Sequence, residues 1–432
     1  MRHNKGLVIL YLNDIMHIMN DSDADIQPAI NADISAASDR HETASMMEPL
    51  LISESSRHRG DLTDLAVELA AHSAGFRRSL PAGVLSALSN LVRAMNCYYS
   101  NLIEGHDTHP VDIERALKND YSADREKRNL QLEAKAHIAV QQWIDEGGLH
   151  DRATTGAGLC EIHRRFCELL PDDLLWVQEP DTGERLRVMP GKLRQRDVKV
   201  GQHIPVSPGA LPRFLEKFEG VYGGLGKSEA ILAAAAAHHR LLWIHPFMDG
   251  NGRVARLMSC AMLLDTLETG GIWSIARGLA RNSRSYKSHL AACDMPRRND
   301  LDGRGNLSDE GLASFTTFFL ETCLDQVKFM EELVQPDRLR NRILLWAEEE
   351  VRAGALPAKA GSILEAILYR GELPRGEVAN VLGASDRHAR RVVATLSEHG
   401  VIASESTRTP LRLTFPAKLA SRWMPGLFPE QS

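Results

Sequence analysis

Trp243-Ile244-His245-Pro246-Phe247-Met248-Asp249-Gly250-Asn251-Gly252-Arg253-Val254-Ala255-Arg256-Leu257 joins two segments of helical spacing, an alanine-rich run over 228–243 and a second run toward Leu267. Gly250 and Gly252 free the backbone just before the second helix begins. Such a turn can aim successive N–H groups at one point, where the helix dipole adds positive potential. Arg253 and Arg256 lie three apart and can share a face. Each offers a planar fork of donors matched to phosphate or carboxylate oxygens. Asp249, the loop's one carboxylate, suits a Mg²⁺ that bridges phosphates. His245 is a titratable base a few residues away, and Phe247 anchors the loop into the core. Together these parts suit phosphoryl or nucleotidyl transfer from a metal-bound nucleotide. Any one of them alone fits a glycine-stabilised corner with solvated arginines. Nine specified residues within the twelve positions 245–256 do not.

Working outward, the chain has 432 residues, room for two or three domains. Hydrophobic residues make up 43% and charged residues 25%, which excludes a wholly disordered chain. The net charge of -6 argues against a general basic coat for nucleic acid, while leaving room for one local basic face. Few aromatics and much alanine and leucine lean toward helices. Cys97, Cys160, Cys167, Cys260, Cys293 and Cys323 are scattered, without a C-x-x-C pair, and read as reduced, mostly buried thiols of a cytoplasmic protein. No apolar stretch is long enough for a membrane span. Leu7 to Met19 is apolar but interrupted by Asn13, Asp14 and His17, which does not suit a signal peptide. Residues 1–48 read as a poorly ordered extension, with translation starting near Met46 favoured over a functional segment.

The spacing predicts helices within 62–102, 111–117, 133–143 and 158–170, then from Leu211, over 228–243, toward Leu267 and over 312–333. Between them, 174–206 changes to glycines, prolines and short alternations such as Val198-Lys199-Val200, the pattern of a small β-hairpin. Pro336 ends this first body at about residue 335. A linking helix over 338–350 leads into a second module.

The stretch at 245–256 resembles the signature of the Fic family, H-[PFx]-x-[D/E]-G-N-G-R-x-x-R, with every specified position filled. The resemblance implies a mainly α Fic-type bundle over 49–335 with a hairpin flap, and AMPylation, the movement of AMP from ATP to a protein hydroxyl. It implies His245 as general base toward the target's Ser, Thr or Tyr, Asp249 as Mg²⁺ ligand, and Gly250, Asn251 and Gly252 as the anion hole. Arg253 then contacts the phosphates and Arg256 holds the γ-phosphate. Ser100-Asn101-Leu102-Ile103-Glu104-Gly105 resembles the family's inhibitory motif, [S/T]-x-x-x-E-[G/N], on a helix near 90–105. Ser100 and Glu104 face the same way on a helix, and the resemblance implies that Glu104 pairs with Arg256. An ordinary helix end at Gly105 is the plainer reading of the same residues. Met189–Pro208 resembles the family's flap, with Val198–Gly201 as the edge that docks a target strand. Residues 281–286 and 297–306 resemble a longer family pattern, which suggests Asn282 and Tyr286 for adenine or ribose contacts.

Three short helices and a wing over 359–416 resemble a winged helix-turn-helix, with Arg387, His388, Arg390 and Arg391 as a basic face. Eight Lys/Arg against six Asp/Glu over that span leave DNA binding and protein docking or dimerisation both open. Gly226-Lys227-Ser228 lacks the glycine and the strand of a P-loop. His238-His239 reads as packing and surface, and His163 as structural. The expected whole is an autoinhibited cytoplasmic adenylyltransferase using ATP and Mg²⁺, with no membrane association and with a second copy or DNA as further partners. The same site run in reverse, as a deAMPylase, or a nucleotide-sensing DNA-binding regulator are the alternatives.

Overall fold

The apolar period that runs from Leu62 to Leu102 is broken at Leu80-Pro81, since proline carries no N–H to continue a helix. In the computed structural model, which describes residues 37–179 and 183–429, it therefore forms two helices, α1 (Arg59–Arg78) and α2 (Ala82–Ile103). Four helices and a hairpin follow. They are α3 (Pro110–Leu117), α4 (Arg125–Asp145), α5 (Gly156–Glu168), β1 (Trp176–Gln178) paired antiparallel with β2 (Arg185–Arg187), and α6 (Leu211–Tyr222). Side chains of Asp124 and Thr155 cap α4 and α5 by accepting from Lys127 N–H and Gly158 N–H.

The centre is α7 (Lys227–Ile244), which touches α6, α1, α8 (Asn251–Leu267) and α11 (Asp309–Leu333). Ala233 to Ala237 are all buried, and their small side chains let neighbours approach on every side. The expectation of a partly surface-exposed His238-His239 pair is corrected: both are buried. His238 lies between Ser259 Oγ (2.9 Å) and Tyr286 Oη (2.6 Å), and His239 meets Asp294 Oδ1 at 3.0 Å. Residues 276–293, which the apolar spacing did not resolve, form α9 (Ala276–Arg281) and α10 (Ser283–Cys293).

Two expectations about irregular regions also change. Residues 37–48, read as part of a poorly ordered extension, are tied to the bundle; residues 1–36 of that extension lie outside the described residues. Asp39 pairs with Arg213 at 2.7 Å, Glu42 accepts from Ser207 N–H at 2.9 Å, and Met47 is fully buried. The regular hairpin is 176–187, upstream of Met189–Pro208. That stretch holds only an isolated bridge between Val200 and His203 because its polar groups are spent on side chains and on the loop at 245.

After α12 (Pro336–Arg352) the second module contains α13 (Ala360–Arg370), α14 (Val378–Leu382) and α15 (Asp386–Glu398). Strands β3 (Ile402–Ala403) and β4 (Arg412–Leu413) close it, and Leu373 bridges to Leu411. Gly383 takes the left-handed conformation (φ 56°) that ends α14 and turns the chain into α15. Ala389, Val392, Val393 and Leu396 of α15 are buried, while Arg387, Arg390 and Arg391 face solvent. A last turn, α16 (Ala420–Trp423), and the tail beyond it return to the first body. There Tyr99 Oη donates to Leu427 O at 3.0 Å and Arg277 Nη2 to Gly426 O at 2.7 Å. All six cysteines are free. Among the described residues no helix is long and apolar enough to cross a membrane.

The module meets the start of α2 so closely that a Cβ on Gly83 would lie 1.9 Å from Gly371 O. Gly83→Ala is therefore expected to destabilise the chain by about 1–3 kcal/mol, measured by urea unfolding; unchanged stability would contradict this contact. Acid is a second lever. Burial holds His137 and His238 down at about 3, and His163, His239 and His245 at about 4, against about 6.5 unfolded. Between these values the unfolded chain binds protons that the folded chain refuses, so stability falls as pH drops from 7 toward 5. Burial also lifts Asp145 to about 6, which offsets one proton in the opposite sense. The midpoint of thermal unfolding should drop over that window, with a net uptake of roughly four protons at pH 5. A flat midpoint would count against it.

Candidate active site

Helix α7 ends at His245, whose backbone sits in the left-handed region (φ 53°) and turns the chain into Pro246. Its ring Nδ1 meets Leu242 O at 3.2 Å. With Nδ1–H donating there, Nε2 keeps its lone pair for the reaction side. Burial first, then the neighbouring Arg194 cation and His203, hold the ring pKa down at about 4. The imidazole is thus neutral and able to accept a proton at neutral pH.

The loop is built to stay in one shape. Phe247 is fully buried and stacks on His163, with ring centroids 4.1 Å apart and planes 2° apart. His163 accepts from Gly191 N–H at 2.9 Å, which ties the loop to the 189–208 stretch. His163 is thus structural, as expected, but it supports the site directly. The side chain of Asn251 accepts from Phe247 N–H (3.0 Å) and donates to Phe247 O (2.8 Å). Its side chain is therefore a clasp across the loop, and only its backbone is left for an anion hole. Gly250 (φ 79°) immediately precedes α8, so the free N–H groups of the first turn open on the site.

Arg253 and Arg256 leave that turn toward different partners. Arg253 Nη2 pairs with Glu133 Oε1 of α4 at 2.8 Å, and Glu133 is itself buried and bonded to His106 Nδ1 at 2.7 Å. Arg256 donates Nε–H to Ser100 Oγ at 2.9 Å and Nη2–H to Ser100 O at 3.2 Å, and it pairs with Glu104. Burial alone would raise the pKa of Glu104. The Arg256 and Arg253 guanidiniums outweigh it and hold the carboxyl below its ordinary value. A Cβ at Gly252 would lie 2.5 Å from Glu104 Oε1, so this carboxylate rests on the first turn of α8. An acidic group thus occupies the positive end of the helix.

Asp249 is half-exposed, and its nearest cation, Arg253 Nη1, is 3.9 Å away, so its oxygens stay open to a divalent ion. A single hard carboxylate at the mouth of an anion site fits a Mg²⁺ that takes its other ligands from phosphates and water.

The remaining expectations divide. Tyr286 is 2% exposed, with its hydroxyl on His238, so it stands behind the site rather than lining it. Asn282 Nδ2 donates to Gly278 O at 3.1 Å, closing the end of α9. Residues 298–305 line a cleft with residues 48–58, apart from 245–256. Lys227 pairs with Glu268 at 3.1 Å and takes no part in the site. Arg387, His388, Arg390 and Arg391 gather on α15, where Arg391 Nη2 donates to His388 Nδ1 at 3.1 Å. Sequence reasoning missed Glu133 and Arg194. Both are charged residues at buried positions, a signal visible only once the helical phase of α4 and the path of 189–208 are known.

Residues 154–263 match the model of the Fic/DOC family. A protein adenylyltransferase Fic of Drosophila mojavensis is 27% identical over 212 residues, 47% of this chain and 39% of that protein. One of Culex quinquefasciatus is 31% identical over 173 residues, 39% of this chain and 31% of that protein. A crystal structure of a Fic family protein from Desulfovibrio desulfuricans G20 aligns over 84% of this chain and 98% of its own, at 16% identity and a TM-score of 0.49. The chain spans well under half the length of the curated relatives it matches. The glycine-flanked loop, His245 and both arginines, Arg253 and Arg256, lie inside the segment 154–263 that is similar to the Fic/DOC family.

Proposed function

We propose that this chain is a protein adenylyltransferase that its own α2 holds inactive. One observation carries the reading: the Glu104 carboxylate lies against Gly252 and on Arg256, where a nucleotide phosphate would bind. In the proposed reaction a target hydroxyl of Ser, Thr or Tyr attacks the α-phosphorus of ATP. His245 Nε2 accepts the hydroxyl proton as the O–P bond forms, and the bond from the α-phosphorus to the bridging oxygen breaks to release pyrophosphate. The first-turn N–H groups at Gly250–Gly252 receive the charge that develops on the phosphate oxygens. Arg253, kept in line by Glu133, adds positive potential. Asp249 would hold Mg²⁺, which supplies charge neutralisation at the phosphates. Arg256 can reach the γ-phosphate only after Glu104 leaves it.

Glu104→Gly should raise transfer of labelled AMP to a protein by roughly 5- to 150-fold, the range of a one-site coupling. His245→Ala on that background should lower it by about 10²–10⁴-fold. Labelling that persists without His245 removes the assigned base. Release of AMP from a modified target, with no forward transfer, would assign the reverse reaction instead.

The second module we read as a winged helix-turn-helix that docks on duplex DNA, with α15 in the major groove. Arg370 pairs with Glu377 and Arg412 with Glu372, while Arg375 and Arg408, also exposed, have no carboxylate partner among the described residues. Among the described residues Arg387, Arg390 and Arg391 have no carboxylate partner, as suits a phosphate-facing surface. Fluorescence anisotropy of the full chain with duplex DNA over a salt series tests this. Arg390→Glu with Arg391→Glu should weaken binding and flatten the salt slope by about two. Salt-independent or absent binding by the unaltered chain would favour protein docking by this face.

A further inference from the structure

We infer that Arg194 is a positioning residue for His245, a buried guanidinium that grips the end of α7 and thereby fixes the base's backbone, ring tautomer and charge. This rests on the reading of His245 as the base. Arg194 is 1% exposed, and among the described residues none of its hydrogen bonds goes to a carboxylate. Its Nε donates to His245 O at 2.7 Å, Nη2 to Val206 O and, at 3.5 Å, to Ile244 O, and Nη1 to Arg196 O at 2.9 Å. Its backbone N–H donates to Pro246 O at 2.9 Å. The neighbouring carboxylate, Asp197, is engaged by Arg40 at 2.7 Å.

A buried cation served only by carbonyls is costly, so its retention needs a compensating task. The site supplies one. The last carbonyls of a helix carry its negative dipole end and lack helical partners. Here each carbonyl from 242 to 246 has its own donor: His245 Nδ1 for Leu242, His203 Nε2 for Trp243 (2.7 Å), and Arg194 for the remaining three. The grip holds His245, a residue with a Cβ, in a left-handed conformation it would otherwise leave. That conformation is what turns Nδ1 back onto Leu242 and leaves Nε2 available. The charged and titratable groups facing the ring are Arg194 and His203 from the 189–208 stretch and Asp249 from the loop. Arg194 is the fixed cation among them and opposes protonation of the base; Asp249 acts the other way.

The test uses the full chain in the Glu104→Gly background. Arg194→Gln removes the charge and most of the fork, and Arg194→Lys keeps the charge while losing the fork. For Arg194→Gln, kcat should fall about 100-fold with KM for ATP nearly unchanged, the cost of a misaligned base. The His245 ring titration, followed by NMR without nucleotide, should move up from about 4 toward the ordinary value. Arg194→Lys should lose kcat while its ring titration stays low. A folded Gln variant with unchanged kcat and unchanged titration overturns the inference. Should the Gln variant not fold, the Lys variant decides: reduced kcat at unchanged KM supports the grip, and full kcat overturns it. The NMR titration also separates this inference from the proposed reaction, since it reads the Arg194–His245 coupling even if no AMP is transferred.

Discussion

Two helix ends meet across residues 245–250, and the unmet carbonyls of α7 and the unmet N–H groups of α8 both need partners there. The surrounding structure is arranged around satisfying them unequally. The carbonyl end is closed permanently, by Arg194, His203 and the ring of His245. At the N–H end a group from another helix, the Glu104 carboxylate, lies against the first turn of α8, where the proposed reaction would place a phosphate. One end is thus fixed by buried donors, and the other faces an acidic side chain from a separate helix.

For Glu104 to leave Arg256, as the proposed reaction requires, its place in α2 matters. It is the residue at which α2 ends, so its side chain can swing away while the helix stays. Movement of α2 as a body is a different matter. Its first turn abuts Gly371, Tyr99 is bonded to Leu427, and Tyr98 packs edge-on against Phe428, with centroids 5.7 Å apart. The C-terminal module therefore rests on both ends of the helix that carries Ser100 and Glu104. Displacing that helix would break contacts in two domains, whereas rotating one carboxylate breaks a single ion pair.

The loop was legible in the sequence because glycines, an imidazole and forked cations at fixed spacing are chemically unusual together, whereas the opposing Glu104 was legible only through the resemblance of residues 100–105 to the family's inhibitory motif. Most helices were legible from their period, α9 and α10 excepted, and α15 was legible as the third helix of the winged-helix resemblance. What stayed hidden depends on tertiary contact. Arg194 stands in a stretch whose alternation suggests a hairpin edge, yet its donors prevent a regular ladder there by taking up Val206 O and Arg196 O. His238 and His239 looked half-exposed because adjacent helical positions seldom point inward together. An alanine-rich helix surrounded by neighbours buries both, and Ser259, Tyr286 and Asp294 satisfy them. Asn251 carries a backbone clasp that the family pattern alone does not reveal.

Arg253 and Arg256 show how burial separates a fixed charge from a switchable one. Both guanidiniums are nearly inaccessible, and each is matched to one glutamate. The partner of Arg253 is Glu133, whose side chain is 1% exposed and held in the middle of α4 by His106 as well. Breaking that pair would strand two charges in a low-dielectric interior, so it is the fixed pair of the two. The partner of Arg256 is 33% exposed, so in the proposed reaction Glu104 regains hydration as it leaves and a phosphate takes its place on the cation. Two arginines one helical turn apart thus acquire different roles from the depth of their partners, not from their own chemistry.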